Sequence, residues 1–343
     1  MKLTDPIEGY QYPEDWIKRS SCSKRELKRK ISSGFYILLQ DGSFLRRGLT
    51  TGTTAAGVVK AAILSLLNPI SEVDIMTPAG ISVKINVNAR GGFAQAIKDA
   101  GDHEFDATHG CVIEGVTVQK KGIFFGEGIG RFKNRYSFYK PGSPAVSPSA
   151  METIKKAYIE ACKETGIEKG VEIRVRNGKQ LAKRTSNIKL GIEGGISILG
   201  TTGFVEPWCD KLIKMKAELV KNLERVVLAT GRKGWDSGRR LFPNYTAVVI
   251  GPYLDEILPH ATGKIRIVSM PSLIIKWAVE GKRDKILWKN PRNFTKKDAN
   301  EILKKARSLS KGVVEGVYLI NEKEEVIYFH ESCRSWASSG ISD

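Results

Sequence analysis

The sequence predicts an α+β N-terminal domain followed by an α/β, Rossmann-like C-terminal domain. In the first two thirds, apolar residues alternate along short stretches. Ile81, Val83, Ile85 and Val87 alternate with Ser82, Lys84 and Asn86, and Val171, Ile173 and Val175 with Glu172, Arg174 and Arg176, the period of a half-buried strand. In the last third, apolar runs at 226–229, 247–250 and 265–268 each meet a Gly or Pro. Helical stretches such as 273–280 and 296–308 follow. Alternating βα units point to a parallel sheet. A chain of 343 residues suits about two domains. The division read is a basic extension over 1–45, an α+β domain over 46–210 and a Rossmann-like domain over 211–343.

Each element has a local reason. Ser23-Lys24-Arg25-Glu26 reads as a capping box opening a short basic helix. Asp41-Gly42 supplies a turn. Val59, Ala62, Ile63 and Leu66 recur at helical spacing, with Thr53 or Thr54 as N-cap and Asn68-Pro69 as the stop. Thr77-Pro78-Ala79-Gly80 turns a strand over 73–76 into the one that follows. A helix over roughly 150–164 precedes the strand at 171–176.

Composition narrows the function classes. Hydrophobic residues make up 41%, enough for a full core and against disorder as the dominant state. No apolar run approaches the roughly 18 residues of a membrane span. The opening residues lack the basic-then-apolar order of a signal peptide. Five widely spaced cysteines (Cys22, Cys111, Cys162, Cys209, Cys333) without a CxxC fit a reducing cytoplasm better than a disulfide framework or a zinc knuckle. Fifty-five basic against thirty-seven acidic residues give a net charge of +18. Such a field attracts polyanions: nucleic acid, an acidic membrane face, or a small substrate bearing many carboxylates.

Several constellations could carry chemistry. Thr50, Thr51, Gly52, Thr53 and Thr54 stand at a helix start, where free amides and a partial positive charge can hold an anion; an ordinary capped helix is the alternative. The stretch from Lys98 to Cys111 holds His103, His109 and several carboxylates. Its spacing matches no usual zinc or calcium pattern, and a polar loop is the simpler reading. Gly126-Glu127-Gly128-Ile129-Gly130 is a glycine loop without the dinucleotide spacing. Gly194, Gly195, Gly200 and Gly203 flank a short apolar strand and imply tight turns or close backbone approach. Thr230-Gly231-Arg232-Lys233-Gly234 follows an expected strand, where α/β domains bind ligands, although an ordinary βα turn reads almost as well.

Taken in order, these segments resemble the CbiD family, the cobalt-precorrin-5B C1-methyltransferases of anaerobic cobalamin biosynthesis. The resemblance rests on the run from Leu45 to Ala56, Lys98-Asp99-Ala100-Gly101-Asp102 with Thr108-His109-Gly110, the loop from Gly126 to Gly130, the run from Gly142 to Pro148, and above all the block from Leu190 to Pro207. The chain departs from the family at named places. Thr54 stands where many members have Cys, and Phe132-Lys133-Asn134-Arg135-Tyr136 replaces a proline–glycine stretch. Gly231-Arg232-Lys233-Gly234 stands for a Gly-Asn-x-Gly turn, and Ser269-Met270-Pro271-Ser272-Leu273 for a Gly-His-x-Gly-Lys segment. A later Asn-Thr-His-Ser run is missing, and the N-terminal extension is longer than in typical bacterial members, as in a divergent, archaeal-type branch.

The resemblance implies methyl transfer from S-adenosylmethionine to C-1 of cobalt-precorrin-5B, giving cobalt-precorrin-6A. Cobalt then arrives inside an anionic tetrapyrrole, and no protein metal site is expected. The acid/base group is expected at Asp102 or His109, with Asp99 beside them. Thr50, Thr51, Gly52, Thr53, Thr54, Gly194, Gly195, Thr201, Thr202 and Gly203 are expected to line the macrocycle site, and Gly231 and Gly234 to help hold the cofactor. Two other readings stay open: a corrinoid-binding protein without catalysis, and a basic nucleic-acid-binding protein. The chain has no RRM, zinc-finger or evident helix-turn-helix signature, so no specific nucleic-acid partner is expected.

Overall fold

A computed structural model describes residues 1–135, 139–278, 296–331 and 335–337. Tyr136, Cys333 and the end of the helix expected over 273–280 lie outside them. The chain forms two compact units. One comprises Lys24–Ile37 and Phe44–Cys209; the other comprises Met1–Ser23, Leu38–Ser43 and Asp210–Asp343. Both mix helices with multi-stranded sheet, so the chain is of the mixed α/β class.

In the first unit, helix α1 (Thr51–Leu64) lies on a six-stranded sheet. The strands are β1 (Ile70–Met76), β2 (Ser82–Arg90), β3 (Phe93–Ile97), β4 (Val112–Val118), β5 (Ile123–Phe125) and β6 (Gly170–Val175), in the order β1-β2-β3-β4-β6-β5. All neighbours are antiparallel except β6 and β5, which run parallel. Along β2 the expected alternation buries Val83, Ile85, Val87 and Ala89. Helix α2 (Pro148–Thr165) packs against α1. It starts at Ser147, whose Oγ accepts the Ala150 N–H at 3.3 Å, and stops at Gly166 in the left-handed region.

The periodicity of α1 predicted one apolar face. Instead it is buried almost all round, from Thr51 to Ile63 apart from Lys60, because it has the sheet on one side and α2 on another. Its limits also differ from expectation. Thr50 is the N-cap, with Oγ1 accepting the Thr53 N–H at 3.3 Å. The helix ends at Leu64, where the Ser65 hydroxyl takes the Ala62 carbonyl and the Gly92 amide.

The second unit is built on a six-stranded sheet. Strands β7 (Arg225–Ala229), β8 (Thr246–Val249), β9 (Lys264–Ser269), β10 (Val313–Ile320), β11 (Val326–Glu331) and β12 (Ser335–Ala337) stand in the order β8-β7-β9-β10-β11-β12. The first four are parallel and the last two antiparallel. Helices α3 (Asp210–Lys221), α4 (Arg232–Leu241), α5 (Pro271–Ala278) and α6 (Lys296–Leu309) accompany them. The apolar runs read from sequence are strands because parallel strands are buried on both faces; Val226, Val227, Leu228 and Ala229 are fully buried.

The first 45 residues are divided between the units. Residues up to Ser23 belong to the parallel-sheet unit, and a basic helix, Lys24–Ser32, belongs to the other with Leu27 and Ile31 buried. Apolar side chains outweigh the charge here: Leu3, Ile7, Tyr10, Tyr12 and Trp16 are all buried. Glu8 pairs with the fully buried Lys216, and its Oε2 accepts the Val249 N–H at 3.0 Å. The Glu8 carbonyl accepts the Trp235 indole N–H at 3.1 Å. No helix among the described residues is long and apolar enough to cross a membrane.

Candidate active site

Segments far apart in sequence meet in short, separate backbone pairings in the first unit. The Leu49 N–H donates to the Asp99 carbonyl at 2.8 Å, and the Asp102 N–H to the Arg46 carbonyl at 2.9 Å. Gly48 and Leu49 pair with Val205 and Phe204. Gly195 and Ile196 run parallel to Gly128 and Ile129. The pairing of 46–49 with 99–102 brings the expected Asp99 and Asp102, and through Ala100 also His109, beside the start of α1.

Around Asp99 the geometry is specific. Arg46 grips its carboxylate with both terminal nitrogens, at 2.5 and 3.0 Å, and the Gly101 N–H adds a third bond at 2.9 Å. The Arg46 hydrogen bond holds the Asp99 carboxyl below its ordinary range against the opposing effect of burial. The Asp102 Oδ2 accepts the Arg46 N–H at 2.7 Å, and the residue is exposed. His109 Nδ1 accepts the Ala100 N–H at 3.0 Å, which assigns the proton of the neutral ring to Nε2. That Nδ1 lies 4.0 Å from Asp99 Oδ1. Sequence reasoning gave Arg46 no role of its own, yet it ties the two aspartates together. No spacing signal reveals this, since the partners stand 53 and 56 residues away.

The threonines and glycines of the macrocycle expectation also meet, but mainly by bonding to one another. The Thr51 hydroxyl accepts the Leu199 N–H at 2.8 Å. Thr53 Oγ1 donates to the Gly203 carbonyl at 2.9 Å and Thr54 Oγ1 to the Thr50 carbonyl at 3.0 Å. The Gly52 N–H, a free first-turn donor by sequence, donates to the Leu199 carbonyl at 2.8 Å. Close approach is real at Gly195, where a Cβ would stand 2.0 Å from the Gly128 carbonyl oxygen; the approaching group is backbone. Gly194 and Thr201 are exposed, and Thr202 bonds within its own turn to Phe204.

A cavity of about 560 Å³ opens nearby, lined by His103, Asp106 and Thr108 on one loop and by Lys183, Arg184 and Lys189 on another segment. Asp106 is paired with the buried Lys98 and accepts from the Thr108 N–H and hydroxyl at 2.8 and 2.6 Å. Burial holds His103 below the ordinary imidazole range. Burial likewise pushes the Cys111 thiol up to about 11, which suits packing rather than nucleophilic chemistry. Among the described residues no group of three or more His, Cys, Asp or Glu could hold a metal ion.

In the parallel-sheet unit, the second strand in sequence lies outside the first and the third lies on its other side. The order therefore reverses between β7 and β9, and a crevice at such a point receives ligands in open α/β sheets. Thr230 follows β7, and its Oγ1 lies 2.6 Å from the Ser269 Oγ at the end of β9. Gly231 is extended and caps α4, with nothing within 4 Å of a Cβ built there. Gly234 differs: a Cβ would stand 2.5 Å from the Val268 carbonyl oxygen, so this glycine seats α4 on the sheet. The neighbouring cations are engaged. Arg232 lies over the Trp235 ring and donates to the Ile7 carbonyl at 2.8 Å, and Lys233 donates to the Glu322 carbonyl at 2.7 Å.

With this geometry in hand, comparison with known proteins is decisive. A family model described as CbiD matches residues 39–207. The cobalt-precorrin-5B C(1)-methyltransferase of Archaeoglobus fulgidus is 47% identical over 284 residues, covering 83% of this chain and 90% of the relative. The chain belongs to the CbiD family. A protein of the same name from Methanococcoides burtonii is 44% identical, covering 81% of this chain and 82% of its own. The crystal structure of the cobalamin biosynthesis protein CbiD from Archaeoglobus fulgidus superposes with a TM-score of 0.77 at 42% identity, covering 92% of this chain and 99% of that one. Family membership thus extends past the matched motifs into the parallel-sheet unit, where the sequence resemblance is thinnest.

Proposed function

We infer that this chain is a cobalt-precorrin-5B C(1)-methyltransferase that takes its methyl group from S-adenosylmethionine and yields cobalt-precorrin-6A. The observation that carries the reading is the match to relatives of that name, at 41 to 47% identity over 80 to 83% of this chain. The net charge of +18 suits an anionic tetrapyrrole, and cobalt enters as part of that substrate. The reading places the enzyme in the cytoplasm, where the free thiols of Cys22, Cys111, Cys162 and Cys209 persist.

The parallel-sheet unit is read as Rossmann-like and as the cofactor-holding part. The extended Gly231 leaves space above the first-turn amides of α4, which suits the anionic end of S-adenosylmethionine, while the buried Thr230 and Ser269 hydroxyls bond to each other and tie the ends of β7 and β9 together beneath it. Gly234 serves by letting α4 sit close. Bound there, S-adenosylmethionine supplies an electrophilic methyl group on its sulfonium.

The other unit orients the macrocycle and handles protons. Asp102, exposed and fixed by the Arg46 amide, takes the proton released as the ring electrons shift. His109 presents its Nε2–H to a substrate oxygen. Asp99 stays ionised on Arg46, whose backbone N–H and carbonyl hold Asp102. The interlocked threonines and glycines line the site through exposed backbone at Gly194 and Thr201 and hold the rest in register.

Anaerobic incubation with cobalt-precorrin-5B and S-adenosylmethionine, read by mass spectrometry, tests the reading. One added methyl that depends on the protein is expected. Co-elution of the macrocycle without mass gain would move the assignment to a non-catalytic corrinoid binder. Product formation near wild type in both Asp102→Asn and His109→Gln would remove those two side chains from the chemistry.

A further inference from the structure

The cavity between loop 103–108 and segment 183–189 gathers three exposed cations on one wall. At about 560 Å³ it falls in the roughly 300–1,000 Å³ range of small-molecule sites. Lys183, Arg184 and Lys189 are exposed on its wall. Among the described residues none of the three is paired with a carboxylate. Several other exposed cations of the same unit are paired, Lys84 with Glu72, Lys121 with Glu168, Lys133 with Glu193, and Arg176 with Glu114, whereas Arg90, Lys155 and Lys163 are single among the described residues and do not share a cavity wall with two further cations. The single acidic residue lining the cavity, Asp106, is neutralised by Lys98. The cavity therefore offers three uncompensated positive charges to an incoming anion.

The wall is also held in place. Asn187, buried between the cations, donates from Nδ2 to the Gly195 carbonyl at 3.0 Å and accepts the Ser197 hydroxyl at 3.1 Å. The Ile192 N–H closes the turn on the Asn187 carbonyl at 2.9 Å. Opposite, Phe105 leaves 76% of its surface exposed beside the cavity, an unusual position for a large apolar ring on a charged rim. Cations next to a bare aromatic face match a ligand that is flat and apolar across its ring and carboxylated at its edge.

Resting on the reading of this chain as a cobalt-precorrin enzyme, we propose that this cavity docks the carboxylate-bearing edge of the macrocycle. Lys183, Arg184 and Lys189 take its carboxylates, and Phe105 lies against the ring face. The cavity selects a polycarboxylate tetrapyrrole over less carboxylated ones, and this contact precedes and is separable from chemistry at Asp102.

Uroporphyrin, with an acetate and a propionate on every pyrrole, is the probe. Its fluorescence is titrated with the full chain, with a Lys183→Glu/Arg184→Glu/Lys189→Glu variant, and with a control carrying Lys84→Glu, Lys121→Glu and Lys133→Glu. The two variants change net charge equally. The cavity variant is expected to bind at least about tenfold more weakly and to lose most of the salt dependence. The control should stay within about twofold. Phe105→Ala should weaken binding while leaving the salt dependence unchanged. Equal losses in the two triple variants, or no binding by the parent chain, overturn the proposal. Should the cavity variant fail to fold by circular dichroism, the single Lys183→Ala and Lys189→Ala variants decide by the same titration. Failure of the functional reading looks different. Cavity-dependent porphyrin binding without methyl gain on cobalt-precorrin-5B removes the methyltransferase and keeps the cavity; methyl gain with an unchanged KM in the cavity variant does the reverse.

Discussion

The ladder of residues 50–54 with 194–203 and the cavity of 103–108 with 183–189 stand in the same unit and are built on opposite principles. In the ladder, Thr51, Thr53, Thr54 and the Gly52 amide direct their hydrogen-bonding groups to other parts of the chain. At the cavity, three cations face solvent without a carboxylate among the described residues. A satisfied buried network fixes a shape; an unsatisfied charged rim is free to bind. The segments most diagnostic of the family are thus mainly scaffold, and the wall suited to anions lies on residues that no motif contains.

The sharpest way to break this contrast is Gly195→Ala. The added Cβ would meet the Gly128 carbonyl oxygen at 2.0 Å, a backbone atom that cannot rotate away. A loss of about 3 kcal/mol or more is expected, read as a lowered Tm. An unchanged Tm would mean that the block is looser than a scaffold and could be a ligand cradle after all. Thr51→Val follows. It keeps the shape but leaves the Leu199 N–H without its acceptor, at a cost of about 1–3 kcal/mol, and Thr51→Ser should restore most of it.

These two substitutions also mark what could be read from sequence. The glycine cluster signalled close approach correctly as physics, but composition cannot say whether the approaching group is ligand or backbone. The strand at Ser82–Arg90 was legible because one face is buried and the other wet. Helix α1 was half legible. Its larger apolar residues mark one side, while Ala55, Ala56 and Gly57 are too small to register in a hydrophobic pattern, although they too are buried. The parallel strands were legible as apolar runs, whereas β10 is broken up by Glu315 and Gly316. Burial of Leu3, Ile7, Tyr10, Tyr12 and Trp16 was hidden because charged residues are interspersed among them. The cationic wall was not legible at all: it needs Asn187 to pin one loop and Asp106 to be silenced by Lys98, contacts only the folded chain makes.

Acid should separate the Arg46 cluster from its surroundings. The folded-state pKa of Asp99 lies below its unfolded value of about 3.9. Its contribution to stability is therefore complete above that value and is lost as the pH falls through the folded pKa. Denaturant unfolding of the parent chain should weaken below about pH 4, and Asp99→Asn should flatten that part of the profile. The group is partly exposed, so the effect is small. Identical slopes in the two proteins would mean that Arg46 does not hold the carboxylate in solution.

The smallest expected effect on stability is the most informative about function. Lys183→Ala, Arg184→Ala and Lys189→Ala remove exposed side chains with no carboxylate partner among the described residues. Each should leave the unfolding free energy within about 0.5 kcal/mol of the parent. The same substitutions should raise KM for the tetrapyrrole while leaving kcat nearly unchanged, because a carboxylate contact made equally in the ground and transition states is uniform binding. A fall in kcat at constant KM would place these cations at the reacting carbon instead. A fall in Tm matching that of Thr51→Val would mean that the wall is scaffold as well. The contrast between ladder and cavity would then collapse into a single buried framework.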